Sequence, residues 1–99
     1  MSPVKFLGAA RADLRIEATY YRKIRRELAS QFLAAVEEAT KSIAVRPLAM
    51  QIVEFEIRRW PVDGFPHGIL YRVEAHVILV LSVFHPKQDP KRCQERARI

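Results

Sequence analysis

Gln51-Ile52-Val53-Glu54-Phe55-Glu56-Ile57-Arg58-Arg59 is the stretch on which the fold turns. Val53, Phe55 and Ile57 alternate with Glu54, Glu56 and Arg58. That period of two belongs to a strand with one face on a core and the other in water. Upstream of it the apolar residues recur at steps of three and four; downstream they alternate or run together. The chain therefore passes from helices to sheet near Pro47.

Working back from that point, Phe32, Val36, Ala39 and Ile43 mark one face of a helix over Gln31 to about Val45, with Leu33 and Thr40 beside it. Ser30 fits its N-cap, since a serine hydroxyl can accept a free first-turn N–H. Pro47 stops it, because the residue before proline avoids helical angles. An earlier helix spans roughly Ala9 to Leu28, with no Gly or Pro inside. Its stripe is Leu14, Ala18, Tyr21, Arg25 and Leu28, widened by Tyr20 and Ile24. Two helices so closely linked fold back as an antiparallel hairpin. Val4 to Leu7 is a short leading strand ended by Gly8.

Forward of the opening stretch, Trp60 to Pro66 reads as a loop from its Pro and Gly content. Gly68 to Val73 alternates again, and Glu74-Ala75-His76 is a short reversal. Val77 to Phe84 is nearly all apolar, as in a central strand covered on both faces. Asp89 to Arg98 suits a short tail helix, with Asp89 as cap and Pro90 at its first position. The predicted order is β-α-α-β-β-β. This is an α+β fold, an antiparallel sheet covered on one face by the helical hairpin.

The 99 residues make one domain, 1–99. Lys plus Arg number 17 against 11 acids, a net charge of +6. The excess lies in residues 9–46 and 85–99, each +3, while residues 47–84 carry −1. Such a surface favours acidic partners, and equally suits a merely solvated face. No run approaches the roughly 18 apolar residues of a membrane helix. Met1 to Arg15 has no apolar signal core, so a cytoplasmic location is expected. A single cysteine, Cys93, excludes an internal disulfide and a cysteine-based metal cage. His67, His76 and His85 stand nine apart, too regularly dispersed for a zinc site. Neither a metal nor a cofactor is expected.

Several short pieces then form an ordered series: Ala12-Asp13-Leu14 leading to Tyr20-Tyr21, Phe32-Leu33-Ala34-Ala35-Val36, and Ile57-Arg58-Arg59. Phe65-Pro66, Ile69, Tyr71-Arg72-Val73, Val83-Phe84-His85 and Asp89-Pro90 follow. With these the chain resembles the RelE/ParE superfamily of toxins from type II toxin–antitoxin systems, the ParE branch most closely. Where relatives carry an aromatic after Phe-Pro, this chain has His67. The resemblance implies a growth-inhibiting toxin of the kind that stabilises plasmids, held inactive by an antitoxin in a hetero-oligomer. ParE-like members bind DNA gyrase and trap its cleaved-DNA intermediate; RelE-like members enter the ribosome and cut messenger RNA.

Metal-free RNA cleavage needs a base, an acid and cationic stabilisation of the phosphorane. RelE-like enzymes draw these from sheet Lys and Arg and a tail tyrosine. Here Glu54 and Glu56 stand on the second strand instead, and no tyrosine follows His85. The candidates that survive are Arg58, Arg59, Arg72 and His85, with Arg58, Arg72 and His85 the set a ribonuclease would use. Pairing of Arg58 and Arg72 with neighbouring glutamates is the plainer alternative, as is a capping role for His85. The expectation is a toxin that acts by binding, through Arg58, Arg59, Trp60, Lys87, Lys91 and Arg92. Trp60 serves equally well as packing against the helix ends. The antitoxin's acidic C-terminal segment is expected on Arg15, Tyr21, Arg22, Arg25 and Arg26. A ribosome-dependent ribonuclease is the rival reading, and a non-toxic protein that only binds its antitoxin is a third.

Overall fold

The structure is a computed structural model, and it describes residues 2–85. The expected tail helix, together with Lys87, Lys91, Arg92 and Cys93, lies outside the described residues.

Five strands and two helices follow in the order β1 (Val4–Phe6), α1 (Gly8–Ile24), α2 (Arg26–Val45), β2 (Ile52–Glu54), β3 (Ile57–Pro61), β4 (Gly68–Val73) and β5 (Ile78–Phe84). They form one sheet in the order β1-β5-β4-β3-β2. The strands β3, β4 and β5 make the expected antiparallel meander. The leading strand β1 joins it in parallel, Val4 opposite Ile78 and Phe6 opposite Val80, so the sheet is mixed. A parallel neighbour needs a crossover, and the helical hairpin lies in the one from β1 back to the sheet.

The hairpin covers one face. Ala10 and Ala18 from α1 and Ala29, Phe32, Val36, Ala39 and Ile43 from α2 are buried. Of these, Ala10, Phe32, Val36, Ala39 and Ile43 meet Ile69, Tyr71, Ile78, Val80 and Val83 of the sheet in the main core. The stripe read for α2 is therefore the buried one. A smaller cluster, Ile57, Leu70 and Leu81, sits on the sheet's other face with Leu79 and Phe84.

Three boundaries differ from the reading of the sequence. The break between helices falls at Arg25, which is extended (φ −166°, ψ 134°), and not at Ser30. Ser30 is an exposed residue inside α2 and caps nothing, because a good cap residue is silent unless the chain turns there. Trp60 and Pro61 belong to β3 rather than to a loop. The true loop is 62–67, where Phe65 N–H bonds Val62 O (3.1 Å) and Gly64 takes the positive φ of 82° that such a turn requires. The stretch 52–59 is two strands, not one. Glu54 pairs with Ile57, and Phe55 and Glu56 between them have φ of 50° and 63°. Positive φ at both central residues is the type I′ pattern of a two-residue hairpin. The alternation in sequence bridged that turn because neither residue is of the Asn-Gly kind that announces it.

Candidate functional site

Arg58, Arg72 and His85, the set a ribonuclease would use, are not brought together. Arg58 lies opposite Tyr71 and so shares the helix-covered face with it. Its Nη1 donates to the Met50 carbonyl, and the Tyr71 hydroxyl donates to the Pro47 carbonyl at 2.7 Å. Both bonds pin the connection between α2 and β2 to the sheet. Arg72, one step along from Tyr71, faces the other way, and its Nη2 is 3.3 Å from Glu74 Oε1. His85 follows β5 at the end where Phe84 pairs with Gly68. Arg72 is four residues further along β4, roughly 13 Å away at strand spacing.

Arg59 runs across Gly68 on the face of Leu70 and reaches the Pro66 carbonyl at 3.5 Å. A Cβ on residue 68 would overlap the Arg59 side chain along its present path, which the glycine leaves open. Trp60, placed by the sequence in a loop where it could anchor a partner or pack, packs: it is 8% exposed within the core, with the Arg46 guanidinium 6.0 Å from its ring.

Arg15, Arg22, Arg25 and Arg26 are all exposed. Tyr21 is half-buried, its ring tilted against Phe32 (5.2 Å) and edge-on to Phe65 (5.3 Å). Burial pushes its phenol up, and Glu17 and Tyr20 push the same way. Tyr20 and Ile24 do not widen the buried stripe. They are 57% and 59% exposed, and with Ile16 at 62% they form a second apolar stripe, spaced four apart, on the open side of α1. The covered side is the one read from Leu14, Ala18 and Tyr21, and only the widening fails, because the apolar residues of α1 fall on two sides. Arg15 and Lys23 border a shallow hollow along this stripe with Ile16, Thr19 and Tyr20.

Two buried polar clusters were not legible in sequence. Asp13, 5% exposed, accepts from Ser82 Oγ (2.9 Å) and from the Val83 N–H (3.1 Å), where the β4–β5 register shifts. His67, 1% exposed, has Nε2 at 3.1 Å from Glu17 Oε2 and its ring edge-on to His85 at 5.0 Å. The separation from Glu17 is that of a hydrogen bond, yet neither ring nitrogen has a well-aligned partner. Burial lowers the His67 pKa; Glu17 opposes that and His85 adds to it. His76 stands apart, exposed in the β4–β5 turn. Tyr71 is buried too, and desolvation raises its phenol against the pull of Arg58.

No curated protein is similar to the chain in sequence. A solved chain of the chromosomal ParDE toxin–antitoxin system from P. aeruginosa has the same fold, with a TM-score of 0.66 at 20% identity over 86% of this chain and 96% of that one. The family model for the ParE toxin of type II toxin–antitoxin systems, parDE, matches residues 4–90. Nearly the whole described fold lies within that match, and the chain belongs to the ParE toxin family.

Proposed function

We propose that the protein is a cytoplasmic toxin that stops growth by binding and poisoning DNA gyrase, and that a cognate antitoxin neutralises it. What carries the choice of binding over bond cleavage is the dispersal of Arg58, Arg72 and His85 to two faces and opposite ends of the sheet. Each of the two arginines is engaged, Arg58 with Met50 and Arg72 with Glu74. In-line attack on a phosphodiester needs its acid, base and cation within reach of one phosphate.

The antitoxin half of the proposal rests on α1. The stripe Ile16, Tyr20 and Ile24 lies alongside Arg15 and Lys23, which suits an acidic amphipathic segment. The experiment is a supercoiling assay with purified gyrase. Added protein is expected to block supercoiling and accumulate cleaved DNA. Untouched supercoiling, together with cleavage of a ribosome-bound message that His85→Ala abolishes, would replace this reading with the ribonuclease.

A further inference from the structure

We infer that Glu17, His67 and His85 form a proton-sensitive latch, which holds α1 to the end of β5 and to the start of β4 while His67 is neutral. The three residues come from three parts of the chain and meet at one place. His67 is enclosed there by rings, with Phe32 of α2 at 4.9 Å and Tyr21 of α1 at 6.1 Å. Among the described residues, the titratable groups that face it are Glu17 and Tyr21 from α1 and His85 from the end of β5, and α2 packs Phe32 against it.

A neutral imidazole suits this enclosure as an aromatic wall. A second proton would place a charge inside it. Glu17 offsets part of that cost, since its side chain is only 16% exposed. Against it stand the apolar rings and the neighbouring imidazole of His85. Burial is the larger influence on His67, and it disfavours the charged form.

The sign follows from linkage. The unfolded chain takes up a proton on His67 near pH 6.5, and the folded chain does so only at lower pH. Below about pH 6.5 the unfolded state therefore binds more protons, and acid favours unfolding.

The test is urea unfolding of the full chain at pH 7.5 and 5.5, with His67→Phe in parallel. The His67 part of the folding equilibrium constant is expected to fall by up to about tenfold between those values. His67→Phe removes that part and keeps whatever His76, His85 and the carboxylates contribute. Should the variant fail to fold, the imidazole NMR titration of the wild-type chain decides instead. His67 still neutral at pH 6 upholds the latch. A His67 that titrates above pH 6.5, or a variant with the same pH dependence as the wild type, overturns it.

Discussion

Along β5, every residue from Val80 to Val83 is buried, and α1 sends Asp13 down to meet two of them. Along β2, at the far edge of the same sheet, Ile52, Val53 and Glu54 are all exposed. The first region is over-determined: apolar packing, a register shift and a buried carboxylate agree on one arrangement. The second is tied to the sheet chiefly by its pairing with β3, through a turn whose two central residues hold positive φ. Non-glycine residues in that region carry of order 1–3 kcal/mol of strain each. Of the two regions, the α1–β5 seam is therefore the one expected to contribute more to stability.

The sharpest way to break that contrast is Asp13→Ala. It removes the carboxylate to which the buried Ser82 hydroxyl and Val83 N–H donate, and we expect a loss of about 3 kcal/mol in urea unfolding. A loss below about 1 kcal/mol would mean the seam is held by packing alone. Next comes Glu56→Gly in the β2–β3 turn. Glycine relieves the positive φ, so stability should rise by about 1 kcal/mol, a rare gain from placing glycine in a chain. Smallest is Val53→Thr on β2, 66% exposed, which should stay within about 0.5 kcal/mol of the parent by the same measurement. A larger loss there would show that the outer edge carries more of the fold than its exposure indicates.

Much of this architecture was readable in the residues. The α2 stripe of Phe32, Val36, Ala39 and Ile43, the strand from Gly68 to Val73 and the apolar run up to Phe84 are all where their periods place them. The helix break was misplaced because Ser30 looks like a cap, whereas Arg25, where the chain turns, has no turn signature. The I′ turn at Phe55 and Glu56 was hidden because its residues continue the alternation of a strand. The candidate site fared less well. Trp60 read as a loop residue and is core, while Ile16 was overlooked as the third member of an exposed stripe. In the sequence Asp13 is part of a motif and His67 is one of three evenly spaced histidines that also follows Phe65-Pro66, and neither context says that the residue is buried.

The residue order by itself settled what neighbours settle: helix and strand periods, the proline stop at Pro47, the net charge of +6 and the succession of short motifs that marks the family. Tertiary structure alone decided that Tyr20 and Ile24 of α1 stay uncovered, how β1 joins β5 in parallel, and that Glu17, His67 and His85 share one enclosure. The physical reason is range. A period is written within a turn or two of chain, but a carboxylate acquires a buried imidazole 50 residues away only once the whole hairpin has closed over the sheet.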